Sequence, residues 1–596
     1  MDEVVEEQAE LAGPVQAAPG RRRADPLALL SYLALALLVM LQLWRDPNGR
    51  VLAGNDDDHG VFMFMLAHGE RVLFDGAAPF FSDRLNAPLG VNMMANTSVL
   101  ALSLPVAPVT HFFGVGVSVV LLLTLGLFGT AAAWYWLFSR HLVTSRVAAW
   151  IGGLWCGFAP AMVSHANGHI NFVCQFVVPF IVWQVLRLRE PGRVVRGGVT
   201  LALLVVLQIF INEETLLFTA LTLGVFVLSW AALDRAQARV VAGRFLAGIA
   251  VAVAVAGALL AYPLRYQFFA PGSYHGQPFP PEQYVTDLLS VAAYPRQALA
   301  GNGAVARTLS VSATEDDTFF GVPALVMLVV AMILLWRSAA ARATALAALV
   351  LLIMSMGPRL RVAGHDTAIP LPFGLISHVP IIDLVSVTRF AMVPATVVGI
   401  LLALAADRAG ALPHRRRVAF WTGIVVTLVP LAPKPLPIVG GAPLPPFIAA
   451  GLWRSYVPAG RSLVPVPLPE VTTGRTAMRW VTLSHLDFRV PRGYFMGPAD
   501  PPGNDTGSWR AAPRYTSELL GRVGKHGQIP YLSEADRAQV LADLVYWRAA
   551  VVVLVPDSRN GAALQAVLTH ALGRSPQLIG GAQVWDERSL PVPPRE

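Results

Sequence analysis

The chain has 596 residues, 55% hydrophobic and only 14% charged, with a net charge of +8 and a mean hydropathy of +0.55. Soluble globular chains carry roughly 25% charged residues, so this composition excludes a soluble enzyme and reads as a polytopic membrane protein. The two cysteines, Cys156 and Cys174, both fall in apolar runs, which argues against a disulfide framework and a Cys-based metal centre.

Residues 1–26 run acidic, then Ala/Pro/Gly-rich, then basic, and read as a disordered cytoplasmic tail. The first apolar run, Leu27–Trp44, follows Arg21-Arg22-Arg23 without a small-residue cleavage site, so it reads as an anchor. A loop over 45–98 follows. It opens with Gly54-Asn55-Asp56-Asp57-Asp58-His59-Gly60 and continues into Val61–His68, an amphipathic piece suited to the membrane interface. Val99–Phe113 carries two prolines and is expected as a re-entrant or surface helix. Spans are then expected at Val117–Leu137, Ala148–Val163, Phe172–Leu186, Val199–Ile211, Leu216–Leu233, Leu246–Leu264, Phe319–Leu335, Thr344–Ser355, Phe390–Ala406 and Val418–Leu431. With the first, this predicts an all-α polytopic bundle of about eleven transmembrane helices over 27–433. Larger loops interrupt it at 265–317 and 357–388.

Beyond Lys434 the composition turns soluble, and 434–596 is expected as a small α/β domain. Ser533 with Asp536 resembles a capping box, Val551–Val555 reads as a buried strand, and Gly561–Leu572 reads as a helix. Gln583-Val584-Trp585 hints at a last strand, and nothing in this domain looks catalytic.

Charge alternates along the chain. Basic links at Arg140–Arg146, Arg187–Arg196, Arg235–Arg244, Arg337–Arg342 and Arg408–Arg417 alternate with polar or acidic ones at Asp56–Asp58, His165–Asn171, Asn212–Glu214 and Glu315–Asp317. The positive-inside rule then places the basic links and the N-terminus in the cytoplasm, and the acidic motifs and C-terminal domain outside. The basic balance is a topology signal, and no nucleic-acid partner is expected.

Four constellations could carry chemistry. Three consecutive carboxylates, Asp56 to Asp58, could supply a general base or hold a divalent cation through oxygen ligands. Glu213-Glu214 stands between two apolar segments, where ionisable residues are functional candidates by default. His165 and His169, four apart, could meet on one helical face as metal ligands, although Gly168 would break that helix. The outer cations Arg84, Arg265, Arg296, Arg359, Arg361, Arg389 and Lys434 could neutralise a phosphate leaving group. Arg389 stands apart because it opens a span directly after an irregular loop.

A span, an outer loop opening with Asn55-Asp56-Asp57, interfacial helices and a multi-span bundle with an outer C-terminal domain resemble the GT-C membrane glycosyltransferases. Leu85-Asn86-Ala87-Pro88-Leu89-Gly90-Val91-Asn92, Asn96-Thr97-Ser98, Gly168-His169 and Glu213-Glu214 are similar to actinobacterial-type members of that superfamily. The resemblance implies a polyprenyl-phosphate-linked sugar as donor, a glycan, lipid or protein acceptor of the cell envelope, and inverting transfer on the outer face. It implies Asp56 or Asp57 as the base; the reading of the residues adds Asp58, His59, His169, Glu213, Glu214 and Arg389 as candidates to face substrate. Some members use a divalent metal such as Mg or Mn, which Asp56 and Asp57 would hold here. In the family Asn-Asp-Pro is common at this place, whereas the third residue here is Asp57. A transporter or flippase of a lipid-linked or polar solute is the alternative, with the same acids as coupling charges, but no internal repeat supports it. A non-catalytic scaffold for envelope assembly would share these features.

Overall fold

A computed structural model describes residues 21–470, 475–500 and 503–593. Most of the tail expected over 1–26 lies outside these; from Arg21 the chain is already helical.

The first helix, α1 (Arg21–Trp44), matches the expected first span. Helix α2 (Asp56–Asp75) starts where Asn55 caps it, its Oδ1 accepting from the Asp58 amide. It ends at Gly76, whose φ of +66° suits a residue without Cβ. Val61–His68 falls inside α2, but nearly all of it is buried, because α3 (Leu100–Phe113) and a C-terminal helix, α15 (Arg475–Leu483), pack over it. The apolar pattern predicts a sheltered face without saying whether lipid or protein shelters it.

Helix α4 (Val115–Leu137) packs against α5 (Arg146–Phe158). The expected span over Ala148–Val163 breaks at Ala159, and Pro160, which needs no helical N–H partner there, opens α6 (Pro160–His165). Next, Ile170–Val173 makes one turn, and α7 (Val178–Arg187) is only 10 residues long, against an expected start at Phe172. The remaining helices of the bundle are α8 (Val194–Ile209), α9 (Glu213–Leu233), α10 (Arg235–Phe269), α11 (Gly321–Leu335), α12 (Ala339–Ser355), α13 (Met392–Ala409) and α14 (His414–Leu431).

Among the described residues, 6 helical segments are long and apolar enough to cross a membrane: Asp25–Trp44, Val115–Leu142, Arg146–His165, Glu213–Leu233, Arg235–Phe269 and Val387–Ala409. Helices α7, α8, α11 and α12 are apolar but shorter than the roughly 20 residues that a 30 Å hydrocarbon core requires. The chain is thus a mostly helical, multi-pass membrane protein.

The C-terminal region adds a four-stranded sheet of β1 (Ser462–Val466), β2 (Ala549–Leu554), β3 (Gln577–Ile579) and β4 (Ala582–Asp586), in the order β3-β4-β2-β1. Only β1 and β2 run parallel, with Val552 opposite Val464. Three helices cover the sheet: α16 (Tyr515–His526), α17 (Glu534–Tyr546) and α18 (Gly561–Leu572). Val464, Val552, Trp585, Leu520, Leu544 and Val567 share a core separate from that of the bundle. The Ser533–Asp536 capping box forms as expected, each residue's side chain accepting from the other's backbone N–H.

Besides the packing of α15 over α2, two backbone-paired segments join this region to the bundle. Ile438–Gly440 pairs antiparallel with Arg50–Leu52. An extended strap, 489–496, lies along the loop between α2 and α3.

Candidate active site

The acidic run forms the first turn of α2, where the helix N-terminus favours negative charge. Successive residues on a helix point about 100° apart, so the three carboxylates face different surroundings. Asp56 and Asp57 are half-buried in that turn. Asp58 Oδ2 accepts from Asn55 Nδ2 at 2.5 Å and meets His169 Nε2 at 2.7 Å, while Oδ1 accepts from the Tyr494 hydroxyl at 2.7 Å. Burial alone would raise the Asp58 carboxyl. The hydrogen bonds from His169, Asn55 and Tyr494 outweigh it and hold the pKa well below the usual carboxylate range. His59, next in sequence, is fully buried with neither ring nitrogen hydrogen-bonded, and burial pushes its pKa down to about 4.

His169 reaches Asp58 because the segment after α6 turns sharply. Gly168 has φ +121°, and a Cβ there would stand 3.2 Å from the Asn55 carbonyl, so glycine permits the close approach. Behind His169, His165 Nδ1 lies 2.8 Å from His169 Nδ1, and His165 Nε2 lies 3.3 Å from Asp317 Oδ1. Segment 313–317 is pinned to α6 by Ser164, whose hydroxyl donates to the Ala313 carbonyl and accepts from the Asp316 amide.

Arg389 enters from the turn before α13. Its Nη1 donates to Glu214 Oε2 at 2.8 Å, its Nε lies 3.4 Å from Glu315 Oε1, and its guanidinium sits 4.7 Å from the centre of the Phe172 ring. Glu214 is held at the N-terminus of α9, capped by Asn212. Glu213 turns away and accepts from Gln267 of α10. Among the other cations, Arg296 forms a bidentate pair with the buried Asp316 and Arg361 does the same with Asp366.

His165, His169 and Glu315 each offer a ligand atom, all within 4.8 Å of one another. Glu315 Oε2 and Asp317 Oδ2 are buried without hydrogen-bond partners, and Asp317 Oδ1 has the contact with His165 Nε2. Burial raises the Glu315 and Asp317 carboxyls above their usual range, against the opposing pull of Arg389. Orphaned buried acceptors beside two imidazoles fit a divalent cation chemically.

Within the bundle lies an apolar cavity of about 460 Å³. Thr215 and Phe218, just after Glu214, and Met392, just after Arg389, line one end; Trp230 and Arg189 mark the other. Along α9, Thr215 and Trp230 are separated by about 22 Å at the helical rise, most of a hydrocarbon core.

The structure therefore brings Asp58, His169, Glu214 and Arg389 into one connected cluster. It places Asp56 and Asp57 in the turn where that cluster starts, and His59 and Glu213 behind it. Sequence reasoning passed over Glu315, Asp317 and Tyr494 as site residues. The first two stand in an acidic run immediately before a span, the same signal that marked Asp56–Asp58. Tyr494 carries no local signal.

No family model matches the chain, and no curated protein matches it. Among solved structures it is similar to the archaeal oligosaccharyltransferase AglB from Archaeoglobus fulgidus in complex with an inhibitory peptide and a dolichol-phosphate. That match has a TM-score of 0.49 and 11% identity, over 90% of this chain and 70% of that one. A second is the Archaeoglobus fulgidus oligosaccharyltransferase tethered to an acceptor peptide, with a TM-score of 0.49 and 12% identity over 89% and 68%. Likeness at this level assigns neither activity nor site residues.

Proposed function

We propose that this chain is an integral membrane glycosyltransferase of GT-C type that moves a sugar from a polyprenyl-phosphate donor to a cell-envelope acceptor. Transfer takes place on the outer face, with inversion. The observation that carries this reading is the apolar cavity within the bundle, whose lining includes Thr215, next in sequence to Glu214, and Met392, three residues after Arg389. A cavity lined by apolar side chains over most of a bilayer's depth suits a prenyl chain. The Arg389 guanidinium, three residues before the lining residue Met392, suits the phosphate, because the planar fork meets two phosphate oxygens. The alternation of basic and acidic links supports the orientation, in which about eleven segments cross or enter the bilayer and residues 434–596 lie outside.

In this reading the acceptor hydroxyl attacks the anomeric carbon as the bond from that carbon to the phosphate oxygen breaks. The electron pair of that bond leaves with the phosphate, whose added charge Arg389 stabilises. The hydroxyl proton passes to a carboxylate of the α2 turn. The resemblance assigns that role to Asp56 or Asp57; the hydrogen bonds from His169 and Tyr494 favour Asp58. A carboxylate of low pKa is ionised at neutral pH but a weak base, so proton transfer comes late, once the new bond has made the hydroxyl acidic.

Arg389 is already paired with Glu214 and Glu315, so little of its positive charge is left for a phosphate, and the carboxylate charge beside it would repel one. A divalent cation held by His165, His169 and Glu315 would offset this charge and act as a Lewis acid toward phosphate oxygen. Two imidazoles with one carboxylate suit Mn²⁺ better than Mg²⁺.

The test is full-length protein in nanodiscs, given undecaprenyl phosphate bearing labelled hexoses or pentoses together with an envelope fraction as acceptor. Label should move from lipid to acceptor with wild type. Leu223→Trp, which fills the cavity midway, should weaken binding of the long-chain lipid and spare a short-chain prenyl phosphate. No transfer from any such donor would overturn the reading.

A further inference from the structure

The strap 489–496 belongs to the C-terminal region by both chain and anchoring. The Leu463 amide, at the start of β1, donates to the Arg489 carbonyl at 2.9 Å. Arg492, 3% exposed, pairs with Glu470 and donates to the carbonyls of Ala511 and Ala512 and to the Ser517 hydroxyl. Yet the strap's other edge is stitched to the loop that follows α2. Arg489 pairs with Asp83, the Val490 amide donates to the Arg84 carbonyl, and the Ala87 and Asn86 amides donate to the carbonyls of Val490 and Arg492. Asn96 closes the far end, donating to the Met496 carbonyl at 2.8 Å and accepting from its amide at 2.6 Å. Between these anchors Arg492 and Gly493 take positive φ (+63° and +148°), and the next residue, Tyr494, reaches Asp58.

A segment so fully fixed on both sides is more than a tether. We infer that Tyr494 is a positioning residue for Asp58, carried by the strap, so that the C-terminal region is a working part of the site. This rests on the glycosyltransferase reading above. Asn55 and His169 hold one oxygen of Asp58, and the Tyr494 hydroxyl holds the other. With both oxygens held, the carboxylate plane is fixed relative to the space an acceptor must enter. With only one held, the group turns about its last torsion and the productive orientation is a fraction of the whole. Burial and the facing Asp58 charge keep the phenol protonated, which is the state that donates.

The experiment compares Tyr494→Phe with wild type in full-length protein in nanodiscs, by transfer kinetics with undecaprenyl-phosphate-linked sugars and by hydrogen exchange. Phenylalanine keeps the ring and removes only the donor. A hydrogen bond to a charged group supports an expected fall in kcat of about 10–100-fold. KM for the donor should hold, the amides of 55–60 should exchange faster, and those of α16 and α17 should be unchanged. Arg489→Gln, which loosens the strap away from Asp58, should move kcat and exchange in the same direction, and carries the test if Tyr494→Phe does not fold. Wild-type kcat with unchanged exchange at 55–60 would overturn the inference, and so would a rise in KM at constant kcat. If wild-type protein transfers no sugar, the glycosyltransferase reading falls and exchange alone judges Tyr494: faster exchange supports the positioning role, unchanged exchange removes it.

Discussion

His169 Nε2 lies 2.7 Å from Asp58 Oδ2 across 111 residues of sequence, and the other ring nitrogen of His169 meets His165. Of three adjacent carboxylates, this one is thereby tied into the cluster that also holds Glu315 and, through it, Arg389. Asp58→Asn keeps the shape but cannot take a proton at neutral pH. It should lower turnover by about 10²–10⁴-fold, the usual contribution of a positioned base, with little change in donor affinity. Asp56→Asn and Asp57→Asn should fall short of that loss. Rates for the three variants side by side decide between the geometry and the resemblance; three wild-type rates would end the catalytic reading of this turn.

Arg389 makes a second case. Its guanidinium is shared between Glu214 and Glu315 and lies over the Phe172 ring, an arrangement that needs a flat, delocalised cation. Arg389→Lys should weaken binding of undecaprenyl phosphate about tenfold or more while leaving the protein inserted and folded. Titration of the purified variant with the lipid measures this directly, and an unchanged affinity would reduce Arg389 to a structural ion pair at the end of a span.

The parts of this architecture that were legible in the sequence are those set by local chemistry. The run Leu27–Trp44, the Ser533 cap, the strand around Val552 and the helix Gly561–Leu572 all declare themselves within a few residues. Span ends were harder, because Pro160 and the broken segment 170–177 shorten helices inside continuous apolar runs. The site was legible only in pieces. Asp58 and Tyr494 are 436 residues apart, and no periodicity carries a contact at that distance. Burial of α2 beneath α3 and α15 was equally invisible, since an apolar face looks the same whether lipid or protein covers it.

The orientation proposed from the charge alternation can be checked independently of any activity. Arg193, in the basic link before α8, should face the cytoplasm, and Asn504, in the C-terminal region, should face outward. In a background without Cys156 and Cys174, a single cysteine at Asn504 should react with an impermeant maleimide on intact cells. One at Arg193 should react only after the membrane is opened. Labelling of both from the same side would remove the outer-face chemistry.

Glu70 of α2, 4% exposed, lies between two histidines: His111 Nδ1 and His485 Nδ1 each stand 2.9 Å from Glu70 Oε1. His485 follows α15, so this contact clamps the C-terminal region onto α2 and α3. Arg71, Asp75 and Asp487 surround it, with Arg71 pairing to both acids. The hydrogen bond to Glu70 raises the His485 pKa, against its burial. For Glu70, burial alone would raise the carboxyl, and the bonds from His485 and His111 outweigh it, so its pKa is lowered. A raised histidine pKa gives stability that is fully present below the unfolded value of about 6.5 and is lost as pH rises through the folded one. A lowered carboxylate pKa gives stability present above about 4.5 and lost as pH falls through the folded value. The clamp is therefore strongest between roughly pH 4.5 and 6.5 and weakens toward pH 8.5. Hydrogen exchange at residues 484–487 should be slower at pH 5.5 than at 8.5, after correction for the intrinsic pH dependence of exchange. His485→Gln, which donates a hydrogen bond but does not titrate, should flatten that difference. The same protection at both pH values in wild type would show that the contact is held by packing and owes nothing to the charge on His485.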